Sequence, residues 1–425
     1  MSDLIRGNAV IGQSGGPTAV INQSLVGVIE GLRLGLQAGG FVDRIYGMRH
    51  GVKGLVKDDL VELNDMHQDR LDRLAMTPSA GLGSTRDKPD APYCDRILDA
   101  CKRNNVRYFF YIGGNDSSDT CRIVKEKAVA AKYDLRCFHV PKTVDNDLKE
   151  NDHTPGFPSA ARFVAMACMA DFMDNISLPG IKINVVMGRH AGFLTAASAL
   201  ARRRDREFED VPQPTTDGPQ LIYCPEIPFD MDRFVADAER IYSAKGRCHI
   251  VVSEGIADKD GQAIGAKLIK NAQVDSHGNV QLSGSGALGD QLGDFLKEKL
   301  TPVGGKPPRV RADTFGYVQR CWPDASVIDR MEARRAGRFA AKLAMAGHDD
   351  GSVAIHRTGS GSALFKGEAE GEPYHSSFKR VDLTAVAAKT RHMPPEFFSG
   401  HNNVSRKFIE YCLPLVGELP GFERL

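Results

Sequence analysis

The sequence predicts an α/β fold in which parallel sheets are covered by helices on both faces. Short runs rich in β-branched and aromatic residues predict buried strands at Asn8–Ile11, Arg107–Ile112, Leu135–Val140, Ile181–Met187, Gln220–Tyr223, Cys248–Ser253 and Arg309–Asp313. Longer amphipathic segments, such as Val20–Gln37 and Ser117–Lys132, separate these runs and predict helices. Repeated alternation of strand and helix is typical of parallel sheets with helices on both sides.

Composition limits the class of protein and its partners. The 425 residues suffice for two or three structural units at about 150 residues per domain. Lysine and arginine (55) nearly balance aspartate and glutamate (54), so no nucleic-acid partner is expected. The nine cysteines contain no C-x-x-C pair, and no apolar run approaches the ~18 residues that span a membrane. We therefore expect reduced thiols, no signal peptide, no membrane segment and a cytoplasmic protein.

Loops rich in Gly, Pro, Asn and Asp follow several of the predicted strands. They are Gln13–Thr18, Gly113–Ser118, Pro141–Asp147 and Gly188–Gly192. Ligands of parallel α/β folds bind where the carboxyl ends of strands meet the amino ends of helices. The loops are therefore predicted to converge on one crevice.

The first two loops each place paired glycines between a strand and a helix. Gly15 and Gly16 could direct backbone N–H groups at a phosphate, or they could form only a tight turn. In the second loop, Asn115, Asp116 and Ser117 predict caps for the next helix. Their oxygen atoms are also ligands of the kind that Mg²⁺ prefers.

The third and fourth loops carry charged side chains. Asp145 and Asp147 follow a buried strand beside Lys142, so a carboxylate could accept a hydroxyl proton while the lysine neutralises a phosphate. Acidic residues in a loop are also compatible with simple solvation. In the fourth loop, Arg189 could bind a phosphate through two hydrogen bonds, or it could be an ordinary surface arginine.

Motifs in and between these loops resemble those of the phosphofructokinase family. In chain order, from about residue 7 to about residue 340, they are SGGPT, GLGSTR, IGGND, PKTVDND, MGRHAG, SEG and GYVQR. The resemblance implies two Rossmann-like, doubly wound parallel-sheet domains with a C-terminal extension. It assigns the phosphate donor to residues 1–156 with about 317–350 and the sugar phosphate to 157–316. The extension, 351–425, is expected to pack on the core.

The resemblance also implies roles for individual residues. Asp145 corresponds to the base that takes the proton from the 1-hydroxyl of fructose 6-phosphate, and Lys142 and Asp116 are further catalytic candidates. The implied sugar-binding residues are Thr143, Asp147, Met187, Gly188, Arg189, Glu254, Arg311, Tyr317 and Arg320. The implied donor-binding residues are Gly15, Gly16, Arg86 and Gly114. Mg²⁺ is the implied cofactor, near Asn115, where the family usually has an aspartate.

Two departures from the ATP-using members of this family predict the phosphoryl donor. Those members carry G-G-D-G-S in the second loop, whereas here Asp116 replaces the glycine that leaves room for the nucleotide. Its negative charge would repel the phosphates of ATP. Lys142 replaces the glycine of P-G-T in the third loop, and its charge suits the compact pyrophosphate ion. Pyrophosphate is therefore the expected donor, in a reaction expected to run in both directions.

Other activities remain open at this stage. An ATP-dependent phosphofructokinase that tolerates Asp116 would use ATP and not pyrophosphate. Sedoheptulose 7-phosphate shares the relevant hydroxyl and phosphate groups with fructose 6-phosphate. A non-catalytic sensor of sugar phosphates would retain the fold without needing Asp145. Because Arg311 corresponds to an arginine that often reaches a neighbouring subunit, the sequence also predicts a homodimer or a tetramer.

Overall fold

The computed structural model describes residues 5–37, 41–202, 217–268, 287–359 and 374–422. The chain divides into two compact units, the first from Met1–Ala160 with Arg320–Arg391 and the second from Ala161–Gln319 with His392–Leu425. Residues of the predicted C-terminal extension thus belong partly to each unit. The assignment of one unit to the donor and the other to the sugar stays a prediction.

The strands and helices of the described residues are numbered in chain order. The strands are β1 (Gly7–Gln13), β2 (Val42–Met48), β3 (Leu60–Glu62), β4 (Val106–Gly113), β5 (Arg136–Pro141), β6 (Ile181–Val186), β7 (Leu221–Tyr223), β8 (Cys248–Ser253), β9 (Val310–Thr314), β10 (Asp350–Thr358) and β11 (His375–Val381). The α-helices are α1 (Ile21–Gln37), α2 (Val52–Val56), α3 (Gln68–Met76), α4 (Ala91–Arg103), α5 (Asn115–Ala130), α6 (Phe157–Ser177), α7 (Phe193–Ala197), α8 (Met231–Lys245), α9 (Ile264–Leu268), α10 (Ala287–Leu300), α11 (Val327–Met345), α12 (Leu383–Val386) and α13 (Arg406–Val416). Short 3-10 helices cover Ser198–Ala201, Gly316–Arg320 and Pro395–Phe397.

The first unit contains a sheet with the strand order β11-β10-β5-β4-β1-β2-β3. The pairs from β10 through β2 are parallel, whereas β11 and β3 add antiparallel edges. The central strands β1, β4 and β5 are buried along almost their whole length. Burial on both faces explains why these strands are nearly continuous apolar runs in the sequence.

Helices cover both faces of this sheet. Ile11 of β1 belongs to a core cluster with residues of α1 and α11, whereas its neighbour Val10 belongs to a second cluster with residues of α4 and α5. This alternation follows from the two-residue repeat of a strand. Helices α1 and α11 pack closely, since a Cβ on Gly27 would lie 2.1 Å from the carbonyl oxygen of Arg334. The predicted α/β architecture with a mainly parallel sheet is confirmed.

The second unit contains a smaller sheet with the order β7-β8-β6-β9, in which every pair is parallel. Ile183 and Ile250 face a core cluster that includes residues of α8 and α10. On the other face, the ring of His249 stacks on Phe172 of α6, with 6.2 Å between the ring centroids. Strand β9 forms one edge of this sheet. No helix in the described ranges is long and apolar enough to cross a membrane.

Candidate active site

Three of the predicted loops converge in the first unit. Strands β5, β4 and β1 are parallel neighbours, and the register pairs Pro141 with Gly113 and Ile112 with Gln13. The loops that follow these strands therefore leave the same edge of the sheet. The fourth loop follows β6 in the second unit.

Lys142 connects these three loops. Only 4% of its surface is exposed, and its Nζ donates a hydrogen bond to the carbonyl oxygen of Gly16 at 2.8 Å. Its backbone N–H donates to the carbonyl oxygen of Gly113 at 2.9 Å. The ammonium group is therefore held at a defined position where the strands end.

The charge of Lys142 is strongly influenced by its surroundings. Burial lowers the pKa of the lysine to about 8, and the positive charges of Arg320 and Arg86 act in the same direction. The carboxylates of Asp145 and Asp147 oppose this shift. Three cations gathered at the ends of these loops favour the binding of a compact anion.

Asp145 lies in a loop whose backbone is fixed on both sides. Its N–H donates to Oγ1 of Thr143 at 3.1 Å. The next residue, Asn146, is fully buried and has a left-handed φ of 59°, a conformation that asparagine tolerates better than most residues. The Oδ1 atom of Asn146 accepts a hydrogen bond from the N–H of Thr154 at 3.1 Å. The backbone that carries the candidate base is thus held by side chains within the same loop.

The second loop corrects one prediction. Asn115, Asp116 and Ser117 do not cap α5, because the helix begins at Asn115 and Gly114 occupies the N-cap position without a side-chain hydrogen bond. Gly114 has an extended backbone (φ −91°, ψ −154°), so the helix starts earlier than the polar side chains suggested. Asn115 and Asp116 therefore lie in the first turn, where the positive end of the helix dipole favours an anion.

Asp116 has a partner that the sequence did not reveal. Its Oδ2 lies 3.1 Å from Nζ of Lys88, and both side chains are 59% exposed. The exposed pair contributes little to stability. It does place an additional cation beside the first turn of α5. The run of charges in GLGSTRDK was the available signal for Lys88.

The backbone groups of the first loop are bonded to other parts of the first unit. Helix α1 begins at Ile21, and the N–H of Gly15 already donates to the carbonyl oxygen of Thr85 at 2.8 Å. The Gly15 N–H is therefore engaged within the protein, which favours the tight-turn alternative for this glycine. The glycine is still required by its left-handed φ of 75°. Gly16 contributes its carbonyl oxygen, which receives Lys142.

Residues of the first unit provide oxygen atoms suited to a magnesium ion. Nδ2 of Asn115 donates to Oδ2 of Asp147 at 3.4 Å, and Oδ1 of Asn115 is buried with no hydrogen-bond partner among the described residues. In those same residues no group of three or more His, Cys, Asp or Glu side chains could hold a metal. Mg²⁺ commonly takes one or two protein oxygens together with substrate phosphates and water. Asn115 and Asp147 can provide the one or two protein oxygens of such a site.

The fourth loop and the SEG motif lie side by side in the second unit. Strands β6 and β8 are parallel, with Val186 paired to Ser253, so Met187–Arg189 and Glu254 follow at neighbouring strand ends. Oγ of Ser253 donates to the carbonyl oxygen of Gly188 at 2.6 Å. These contacts join the two predicted sugar-binding segments.

Arg189 and Glu254 form an ion pair in this unit. Nε of Arg189 lies 3.7 Å from Oε1 of Glu254, and the arginine side chain is 32% exposed whereas that of the glutamate is 5% exposed. Gly255 is required beside them, since a Cβ there would lie 2.0 Å from the carbonyl oxygen of Arg189. The pair can offer a cation to a phosphate and a carboxylate to a hydroxyl.

The three sugar-binding residues predicted between positions 311 and 320 do not all belong to the same unit. Arg311 is exposed on the edge strand β9, and its Nη1 donates to the carbonyl oxygen of Val310 at 3.3 Å. Tyr317 is 49% exposed and also belongs to the second unit. Arg320 belongs to the first unit, where a Cβ on Gly16 would lie 2.9 Å from its guanidinium carbon. The structure therefore places Arg320 with the residues predicted to bind the donor.

Comparisons with known proteins agree with these observations. A family model described as phosphofructokinase matches residues 8–344. The pyrophosphate–fructose 6-phosphate 1-phosphotransferase of Rhodospirillum rubrum is 48% identical over 99% of this chain and 97% of its own length. The enzyme of the same name from Halomonas elongata is 33% identical over 98% and 94%, respectively.

A solved structure is similar over almost the whole chain. It is the pyrophosphate-dependent phosphofructokinase of Nitrosospira multiformis, with a TM-score of 0.79 and 31% identity over 98% of this chain and 94% of that one. The family model covers most of the sequence, including all of the loops described above. The chain belongs to the phosphofructokinase family.

Proposed function

We propose that this chain transfers a phosphoryl group from pyrophosphate to the 1-hydroxyl of fructose 6-phosphate, in a reversible reaction that yields fructose 1,6-bisphosphate and phosphate. The observation that carries the proposal is the buried ammonium group of Lys142. The charges of Arg320 and Arg86 lower its pKa, whereas the charge of Asp145 raises it. The names of the relatives, which specify pyrophosphate and fructose 6-phosphate, support the same reaction.

Asp145 acts as the general base in this reaction. Its carboxylate takes the proton of the 1-hydroxyl while the hydroxyl oxygen bonds to one phosphorus of pyrophosphate. The bond from that phosphorus to the bridging oxygen breaks, and phosphate leaves with the electron pair. Lys142 and Arg86 stabilise the negative charge that spreads over the phosphoryl oxygens.

Mg²⁺ is assigned to the donor, as in the family generally. Asn115 and Asp147 would hold the ion together with oxygens of the donor. When bound, the ion supplies positive charge that neutralises phosphate oxygens. Asn115 is neutral, so the protein adds less negative charge beside pyrophosphate than an aspartate at this position would add.

The first turn of α5 selects the donor. A nucleoside triphosphate extending along this turn would bring its phosphates towards the carboxylate of Asp116, and like charges 4 Å apart repel by about 4 kcal/mol near a protein surface. Pyrophosphate has no nucleoside to accommodate, so its binding energy must come from cations. Lys142 and Arg86 provide those cations, whereas Lys88 is paired with Asp116 and adds no net charge.

The sugar phosphate is assigned chiefly to residues of the second unit. Arg189 binds a phosphate oxygen of the sugar phosphate, and the carboxylate of Glu254 accepts hydrogen bonds from the sugar hydroxyl groups. Tyr317 and Arg311 are exposed and complete the recognition, with Arg311 reaching a neighbouring subunit of a homodimer. The nine cysteines are all free, which supports assignment to a reducing compartment such as the cytoplasm.

The proposal is tested by measuring both directions of the reaction with purified protein and Mg²⁺. The forward assay contains fructose 6-phosphate and pyrophosphate, with fructose 1,6-bisphosphate detected through aldolase. The reverse assay contains fructose 1,6-bisphosphate and phosphate, with fructose 6-phosphate detected through an isomerase and a dehydrogenase. We expect turnover in both directions. Absence of turnover in both would overturn the proposal and favour a sensor of sugar phosphates.

A further inference from the structure

The loop that carries Asp145 is folded back on itself. We call residues 142–156 the phosphoryl loop. Within it, Oγ1 of Thr154 donates to the carbonyl oxygen of Thr143 at 3.0 Å, and Thr143 pairs with Gly156 as a parallel bridge. These contacts close the loop at its base and leave residues 147–152 as its outer part.

The outer part of the phosphoryl loop is bound by the C-terminal portion of the first unit. The N–H of Asp152 donates to the carbonyl oxygen of Ile355 in β10 at 2.9 Å, and the N–H of Ile355 donates to Oδ1 of Asn151 at 3.0 Å. Leu148 forms an antiparallel bridge with Thr390. A segment more than 200 residues away in sequence therefore supports this loop.

Arg391 contacts the outer part at both of its ends. Its backbone N–H donates to the carbonyl oxygen of Asp147 at 2.7 Å. Its guanidinium Nη1 donates to the carbonyl oxygen of Asp152. One residue thus spans the turn between Asp147 and Asp152, and Asp147 lies two positions after the candidate base Asp145.

We propose that Arg391 is a positioning residue for phosphoryl transfer, whose guanidinium group fixes the phosphoryl loop through the carbonyl oxygen of Asp152, next to the backbone hydrogen bond that holds Asp147. The inference rests on the proposed function, because it assigns the reacting carboxylate to this loop. The side chain of Arg391 acts on the backbone of the loop and so on the placement of Asp145. A displacement of about 1 Å at reacting groups can cost about a hundredfold in rate.

The test compares Arg391→Ala and Arg391→Lys with a matched control, Arg380→Ala. Arg380 lies in β11 of the same C-terminal portion and also binds a backbone carbonyl, that of Asp350, at 2.7 Å. It has carboxylate partners in Asp350 and Asp382 as well. The control therefore removes comparable contacts at the start of β10, where Asp350 pairs with Cys137 and not with the phosphoryl loop.

We expect Arg391→Ala to lower kcat by about tenfold to a hundredfold, with KM for both substrates changed less than about threefold. Arg391→Lys keeps the charge and a hydrogen-bonding ammonium group but loses the planar guanidinium, so it should recover part of the lost kcat. Arg380→Ala should lower the melting temperature by a similar amount and leave kcat within about twofold of the wild type.

Equal kcat values for Arg391→Ala and Arg380→Ala at similar melting temperatures would overturn the inference. If the alanine variant does not fold, Arg391→Lys decides: a kcat lowered at least about threefold supports the inference, and an unchanged kcat overturns it. An inactive wild-type protein would refute the proposed function, and the inference would fail with it. An active wild type with an unaffected Arg391→Ala would refute the inference alone.

Discussion

The phosphoryl loop of the first unit and the residues of the second unit that are assigned to the sugar phosphate are built in different ways. In the phosphoryl loop, Lys142 and Asn146 are nearly or fully buried and hydrogen bonded to other loops or to the loop itself. In the second unit, Arg311 and Tyr317 are exposed, and Arg189 is partly exposed beside Glu254. The ammonium group of Lys142 is fixed before the substrate arrives, whereas Arg311 and Tyr317, which are assigned to the sugar, are accessible.

This difference has an energetic meaning. Charges that are already in place when the transition state forms need not be reorganised, and this is a large source of catalysis. Flexible exposed side chains lose conformational freedom when they bind a ligand, which reduces affinity. Changes in the phosphoryl loop should therefore lower kcat strongly, and changes in the exposed set should mainly raise KM for the sugar phosphate.

The largest effect is expected from Asp145→Ala. Removal of the general base should lower kcat by about 10²–10⁴-fold, because general-base catalysis contributes that much. The affinity for fructose 6-phosphate, measured by calorimetry, should change little. A kcat near that of the wild type would contradict the assignment of Asp145 as the base.

A smaller but still large loss is expected from Lys142→Met, which keeps an unbranched side chain, one atom shorter, without its charge. We expect kcat/KM for pyrophosphate to fall by about a hundredfold, typical of a lost electrostatic contact to the transition state. Thermal stability should be unchanged or higher, because burial disfavours the charged lysine and so lowers its pKa.

The pH dependence of the wild type gives a second measure of Lys142. The pKa of about 8 means that the ammonium loses its proton above that pH. The value of kcat/KM for pyrophosphate should therefore decline as the pH rises through about 8 in the free protein. Lys142→Met should lack this decline, and a decline of equal size in the variant would assign it to another group.

A moderate effect on sugar binding is expected from Arg311→Ala. The exposed arginine should contribute to KM for fructose 6-phosphate, with a rise of about tenfold for one lost phosphate contact and little change in kcat. Lys306→Ala, another exposed cation near β9, is the control. Similar KM values for the two variants would show that Arg311 has no specific role.

The smallest effect concerns the buried support beneath the phosphoryl loop. Nδ1 of His153 lies 2.8 Å from Oδ1 of Asp152, and its Nε2 lies close to Oε2 of Glu332. Burial alone would lower the pKa of this histidine, but the charge of Glu332 and the hydrogen bonds to Asp152 and Glu332 raise it to about 9. The folded state therefore retains a proton that the unfolded state releases near pH 6.5.

The stabilisation by this proton is complete below about pH 6.5 and is lost as the pH rises through about 9. We expect the free energy of unfolding to fall across that interval, because the folded state holds the proton more tightly than the unfolded state does. Urea unfolding of the wild type and of His153→Gln measures this. The variant should show a flatter pH dependence, and identical slopes would contradict the assignment.

The elements that were predicted correctly share one property. Strands such as β4, β5 and β8 are buried on both faces, so their sequences are apolar runs that stand out from the surrounding chain. Strand β2 was not predicted, because Asp43 and Arg44 are exposed and interrupt the apolar pattern. Strand β11 was also not predicted, because its polar and basic residues are mostly partly exposed. Strand β10 was not predicted although residues 351–355 are buried, because its apolar run covers only three residues, 353–355.

Helix α11 was not predicted for a different reason. It packs through small residues, among them Ala333, Ala336, Gly337 and Ala340, so it lacks the large apolar side chains that mark a helix face. The close packing against α1 makes small residues necessary, since a Cβ on Gly337 would lie 2.2 Å from the carbonyl oxygen of Ser24. A contact requirement between distant segments is not visible in either segment alone.

The residues of the candidate site also fall into two groups, those marked by local motifs and those defined by contacts between distant segments. Local motifs predicted Lys142, Asp145 and Asp116 as site residues, because each lies within a few residues after the end of a strand. Lys88 and Arg391 were not among the predicted residues, because their contacts join positions 28 or more residues apart in the chain. The N-cap of α5 was also predicted incorrectly, because the backbone conformation of Gly114 sets the start of the helix.

The most direct test of the central claim is a paired assay of the wild-type protein with fructose 6-phosphate and Mg²⁺, using pyrophosphate in one reaction and ATP in the other. Turnover with pyrophosphate and none with ATP is the predicted result, because Lys142 and Asp116 are assigned to select the donor. Turnover with ATP and none with pyrophosphate would contradict the account of the donor while leaving membership of the family intact.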